Sequence, residues 1–137
     1  MSFPRLTLAL PAPIANLTVV VEPLVPARDE DEVIAAALAR DLPAGTRLEP
    51  GEERRGLGVH GWPLRLVQGR VLDDAGAQRE TRLVAIYRVL DWFGVIRTIA
   101  TDRATWEAQR AAVLEALVSA DLDLGTSAVD LADALGD

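Results

Sequence analysis

The chain has 137 residues, half of them hydrophobic and 26% charged, a balance that suits one folded domain with its own core and not a disordered segment. Its formal net charge of -7 disfavours non-specific nucleic-acid binding, because a phosphate backbone requires a basic face. It has no cysteine and no lysine, so disulfides, thiolate metal sites, Schiff bases and P-loop lysine chemistry are excluded.

Leu6, Leu8 and Leu10 alternate with Thr7 and Ala9, the period of a half-buried strand, and Pro11 and Pro13 stop it. A second strand is expected over 16–24, where Thr18-Val19-Val20-Val21 is β-branched and Pro23 and Pro26 close the run. The first helix is predicted from Asp29, with Glu32 as its capping partner and Val33, Ile34, Ala37 and Leu38 as its apolar stripe. Pro43 and Gly45 end it, and residues 43–56 read as a polar loop.

A long third strand is expected over 57–72, bent near Gly61-Trp62-Pro63, followed by a turn at Asp73-Asp74-Ala75-Gly76. The fourth strand, 81–90, is apolar on both sides, as a central strand is. Asp91-Trp92-Phe93-Gly94 is expected to form a hairpin loop, with Gly94 available for positive φ, before a fifth strand over 95–100. Thr101 or Asp102 caps a second helix reaching about Ala120, which carries Trp106, Val113, Leu114, Leu117 and Val118 on one face. Residues 121–137 hold five Asp and no basic residue, and Ser127 with Asp130 is expected to cap a last short helix.

The order β-β-α-β-β-β-α predicts an α+β domain over residues 1–124, followed by an acidic tail over 125–137. The expected architecture is two-layer: a largely antiparallel sheet of about five strands with two helices on one face. The other face must then be solvated, paired or used for binding. The N-terminus carries no apolar run of signal-peptide length, and no stretch approaches the roughly 20 apolar residues of a membrane span. A cytoplasmic location without a membrane span is expected.

The reactive residues offer little. His60 is the only histidine; base chemistry would need a partner for it and a metal site more ligands, so a structural or surface role is expected. No serine lies in a Gly-x-Ser-x-Gly elbow. Asp121-Leu122-Asp123-Leu124-Gly125 lacks the third acid and the distal Glu of a calcium loop. Gly56, Gly58 and Gly61 form a Gly-x-Gly-x-x-Gly string, but it precedes a strand instead of joining a strand to a helix. No catalytic residue, cofactor or metal is expected. The aromatics draw more attention: Trp62, Tyr87 and the Trp92-Phe93 pair either cover a sheet edge or meet a partner.

The sequence also resembles the DcrB family of the Mog/PsbP-like superfamily. The resemblance rests on Leu8-Ala9-Leu10-Pro11, on Gly61-Trp62-Pro63-Leu64 beside the family's Gly-x-Pro-Ala signature, on the strands 82–90 and 95–100, and on a helix closing at Ser119-Ala120-Asp121-Leu122. It covers residues 5–124. It implies a largely non-enzymatic fold. Through the Eag chaperones of type VI secretion, it also implies a homodimer that shields hydrophobic segments of effectors on its sheet faces. The surface then expected to bind a client protein comprises Trp62, Leu64, Val84, Ile86, Arg88, Trp92, Phe93 and Ile96.

Three functions stay open: a chaperone or adaptor holding a hydrophobic client segment on the open sheet face, a structural or assembly subunit acting through homo- or hetero-oligomer contacts, and a small-ligand binder. A ligand needs a convergent polar pocket, for which the sequence offers Arg65, Arg88, Arg97, Tyr87 and scattered carboxylates.

Overall fold

The computed structural model describes residues 5–7 and 14–123. In chain order the elements are β1 (Arg5–Thr7), β2 (Leu17–Val21), β3 (Val25–Pro26), α1 (Glu30–Ala39), β4 (Thr46–Leu57), β5 (Pro63–Asp73), β6 (Gln78–Val89), β7 (Trp92–Ala100), α2 (Arg103–Val118) and β8 (Asp121–Asp123). The expected terminal helix lies outside the described residues, as does the strand pattern beyond Thr7.

The main sheet has six strands, all antiparallel, in the order β2-β7-β6-β5-β4, and the short β3 continues beside β7. β1 and β8 form a separate antiparallel pair. This is the expected α+β domain with an antiparallel sheet. The arrangement of its helices differs from expectation.

β6 is buried from Thr81 to Tyr87 on both faces. Leu83, Ala85, Tyr87 and Val89 pack with Trp106, Val113 and Leu117 of α2. Val84 and Ile86 pack with Ile34, Ala37 and Leu38 of α1, together with Phe93 and Val95. Successive strand residues point to opposite sides, so the two helices lie on opposite faces of the sheet. The expectation of both helices on one face is corrected. A strand apolar on both sides must be covered on both sides, and each helix supplies one cover.

Three local expectations also change. The strand expected over 57–72 is the end of β4, a tight loop at 58–62, and β5. The polar loop expected over 43–56 is mostly β4. Its sequence has no apolar alternation, and its strand conformation comes from continuous pairing with β5, interrupted by a register shift between Pro50 and Glu53. At that bulge Gly51 approaches the neighbouring strand so closely that a Cβ would sit 2.7 Å from the Gln68 carbonyl oxygen. Glu52, Glu53, Arg54 and Arg55 occupy this outer strand, and such charges protect an open edge from unwanted pairing. The β6–β7 turn consists of Leu90-Asp91, with Leu90 at φ 55, while Trp92, Phe93 and Gly94 belong to β7.

Helix starts split the same way. Asp102 caps α2, its carboxylate accepting from the Thr105 backbone N–H at 3.2 Å and the Thr105 hydroxyl at 2.9 Å. Asp29 precedes α1 in the left-handed region (φ 49) and makes no side-chain cap, so the expected Asp29–Glu32 capping pair does not form. The Asp73–Gly76 turn is as expected: the Asp73 carboxylate accepts from the N–H groups of Ala75 and Ala77, each at 2.9 Å, and Gly76 takes φ 81. These bonds, that from Ala77 foremost, hold the Asp73 carboxyl below its ordinary pKa.

Candidate functional site

The β4–β5 and β6–β7 loops are alternate turns of one antiparallel meander, so they lie at the same end of the sheet. Four large apolar side chains are exposed there: Leu57 (67%), Val59 (66%), Leu90 (52%) and Trp92 (43%). Val21 ends β2 nearby, paired with Ile96, and is exposed too. These five are the exposed large hydrophobic side chains among the described residues.

The loop at 58–62 is anchored. The Val59 N–H donates to the Val118 carbonyl at 2.8 Å, tying the loop to the last residue of α2, and the Gly58 N–H donates to the Trp62 carbonyl at 2.9 Å. Gly58 fits because a Cβ would meet the Val118 oxygen at 3.3 Å. Trp62 packs against the α2 core, and its indole Nε1 is buried without a hydrogen-bond partner. A buried, unpaired donor is uncommon and costs stability. His60 is exposed at the loop tip.

The structure does not gather the predicted binding residues on one open face. Leu64 and Ile96 are buried under α2, whereas Val84, Ile86 and Phe93 are buried under α1. Trp62 is half-buried, and only Arg88 and Trp92 are exposed. The expected open sheet surface is therefore corrected: both faces of these central strands are occupied by the protein's own helices. Leu57, Val59 and Leu90 were missed. Their signal in the sequence was an apolar residue placed within or beside a turn.

The polar groups considered for a ligand crevice are mostly committed to the fold. Arg65 donates to Glu53, to Glu30 at 2.9 Å and to Asp31 at 2.6 Å, and the bonds to Glu53 and Asp31 push its pKa above the ordinary arginine value. Arg97 donates to Glu22 at 2.5 Å, and Glu22 also receives Arg40 at 2.6 Å. The Tyr87 hydroxyl donates to the Leu117 carbonyl, and burial raises its pKa. Arg88 alone of this group is exposed.

Open crevices mark the surface among the described residues. One of about 180 Å³ lies between α2 and the β4–β5 strands, over Leu66, Leu83, Leu114 and Val118. A second, about 160 Å³, adjoins Glu30, Arg55 and Arg65. A third, about 210 Å³, adjoins Arg79, Asp102 and Arg103 at the start of α2. Among the described residues, no group of three or more His, Cys, Asp or Glu side chains is placed to hold a metal ion, and no helix is long and apolar enough to cross a membrane.

No protein-family model matches the chain, and no curated protein matches it. A solved structure does: the solution structure of cyanobacterial PsbP (CyanoP) from Synechocystis sp. PCC 6803, with a TM-score of 0.57 and 10% sequence identity. The match covers 78% of this chain and 66% of CyanoP, just under two thirds of that protein's length. The fold is PsbP-like. At this identity the likeness concerns the fold alone. In this PsbP-like domain the antiparallel sheet is covered on both sides near its centre, and the exposed large apolar side chains among the described residues gather at the loop end.

Proposed function

We propose that this protein is a non-enzymatic chaperone or adaptor that binds a hydrophobic segment of a client protein. The observation that carries this reading is the gathering of Leu57, Val59, Leu90 and Trp92 at one end of the sheet, next to the anchored 58–62 loop. Exposed apolar side chains scattered singly are ordinary, whereas several at one end of a domain mark a contact surface. Trp92 is the natural anchor, since tryptophan contributes most at protein interfaces. The resemblance to the DcrB family and to Eag-type chaperones supports a client from a secretion system, met in the cytoplasm by a homodimer.

A second reading is an assembly subunit that pairs with itself or a larger machine, and the free edge of the 12-residue β4 favours it. The two readings part in solution. A synthetic peptide carrying an apolar effector segment should bind the wild-type protein, and Val59→Asp with Trp92→Glu should abolish binding while leaving the melting temperature within a few degrees. Undiminished binding by that double variant would remove the loop end as the site. A monomer across the accessible concentration range would remove the self-assembly reading.

A further inference from the structure

The crevice between α2 and the β4–β5 strands has a composition that the loop-end reading does not use. Leu66, Leu83, Leu114 and Val118 form its floor. Leu66, Leu114 and Val118 remain only partly buried, because α2 stops short of covering the β4 side of the sheet. β4 offers no apolar side chain to close the gap: Arg54 pairs with Leu66 and Gly56 with Leu64. An apolar floor is thus left open at a volume of about 180 Å³. For comparison, an apolar cavity of roughly 150 Å³ holds benzene.

The rim is cationic. Arg54 and Arg110 share a single carboxylate, Glu52, at 4.0 and 3.8 Å. Both contacts are longer than a direct hydrogen bond. The two arginine side chains are 68% and 44% exposed, so each has donors within reach of a ligand. Two positive charges and one negative leave a net positive mouth on a chain whose net charge is -7. Gln68 adds a carboxamide to the lining. A planar guanidinium fork matches a carboxylate in geometry and charge.

We infer that this crevice binds a small amphiphilic carboxylate, its apolar group resting on Leu66, Leu83, Leu114 and Val118 and its carboxylate received by Arg54 and Arg110. One added negative charge balances the rim. The apolar group covers side chains that the fold leaves half open. The crevice adjoins the loop end at Val118, whose carbonyl accepts from the Val59 N–H, while its charged rim comes from β4 and α2.

Titration of the full chain with octanoate, followed by amide NMR, tests the assignment, with 1-octanol as the neutral counterpart. Octanoate should give saturable shifts centred on residues 52–54, 66–68, 83, 114 and 118, and it should bind more tightly than octanol. Arg54→Gln with Arg110→Gln should weaken octanoate by roughly tenfold or more and leave octanol unchanged. Leu114→Trp fills the crevice from a partly exposed position and should remove both ligands. Leu90→Asn with Trp92→Glu, which touches no lining residue, should bind octanoate as the wild type does. Equal affinity for the alcohol and the acid, shifts centred on Leu90 and Trp92, or the absence of saturation would each overturn the assignment.

Discussion

Arg65 of β5 and Arg82 of β6 hold opposite ends of α1. Arg65 donates to Glu30 and Asp31 in the first turn, at 2.9 and 2.6 Å. Arg82 donates to the carbonyls of Leu38 and Arg40, at 2.8 and 2.6 Å, and of Asp41 at 3.2 Å. The polarity suits a helix: acids at its positive start, a cation at its negative end. α1 has no side-chain N-cap and no basic residue in its last turn, so the sheet supplies what the local sequence lacks.

The two clamps should differ in strength. Arg82 is only 3% exposed and also pairs with Glu80. Arg82→Met leaves buried carbonyls and a carboxylate without their donor, and should cost about 3–5 kcal/mol. Arg65→Met releases partners that water can reach, Asp31 above all, and should cost about 1 kcal/mol. Urea denaturation of the two variants checks the order. Equal costs would mean that water satisfies the helix end once Arg82 is gone.

Acid should loosen the start of α1 first. The Arg65 guanidinium, by hydrogen bond and then by charge, holds the Asp31 carboxyl below its ordinary pKa. A depressed folded pKa contributes stability that is present above the unfolded value of about 4 and lost as pH falls through the folded value. Carboxyl NMR should place the Asp31 midpoint below that of an ordinary Asp, and Arg65→Met should raise it towards the ordinary range. Hydrogen exchange in the first turn of α1 should accelerate over the same acid range. A midpoint at the ordinary value would show the pair to be too solvated to matter.

What the sequence disclosed follows from where apolar residues sit. β6, β7 and α2 were legible because alternation or helical spacing marks their buried faces and Asp102 marks a cap. β4 was hidden, since Thr46–Leu57 is charged and its conformation is imposed by β5. The two-sided apolarity of Val84, Ile86 and Leu83, Ala85, Tyr87 marks a central strand, but does not mark that each of its faces is covered by one of the two helices. Which partner covers each side is a long-range property that periodicity does not encode. The expected surface residues are buried for that reason: Val84 and Ile86 face α1, and Leu64 and Ile96 face α2. At the β6–β7 turn it is Leu90, and not Gly94, that adopts positive φ, which composition does not signal.

Tyr87 gives a clean optical test of the α2 face, because it is the only tyrosine. Burial raises its pKa, and its hydroxyl donates to the Leu117 carbonyl near the end of α2. A raised folded pKa means that stability is intact below the unfolded value of about 10 and declines as pH rises beyond it. Phenolate absorbance should therefore appear only together with alkaline unfolding, not as a separate titration near 10. Tyr87→Phe should cost about 1 kcal/mol, the net value of one buried hydrogen bond. A phenolate signal preceding the loss of helix circular dichroism would contradict the burial.

Two glycines of β4 should respond oppositely to alanine. At Gly51 the new Cβ would lie 2.7 Å from the Gln68 backbone oxygen, so the bulge must shift. Gly51→Ala should cost roughly 1–3 kcal/mol, the usual penalty of overpacking. At Gly56 nothing lies within 4 Å of the added carbon, and Gly56→Ala should be neutral or slightly stabilising. Thermal melts of the pair separate a steric requirement from the general flexibility of glycine.

Leu90 combines a strained backbone with an exposed side chain. It holds φ 55 at the β6–β7 turn while its side chain is 52% exposed. Left-handed backbone costs a non-glycine residue roughly 1–2 kcal/mol, and glycine returns part of that gain as unfolded-state entropy. Leu90→Gly should therefore stabilise the fold by about 0.5–1 kcal/mol, read from the urea midpoint at constant slope. The same change removes one apolar side chain from the loop end. If that end receives a client, Leu90→Gly should weaken the apolar peptide while raising the melting temperature, and Leu90→Asn should do the same. A variant that gains stability and keeps full affinity would show that Leu90 does not touch the client. A variant that loses stability would show that the side chain packs in a way its exposure does not reveal.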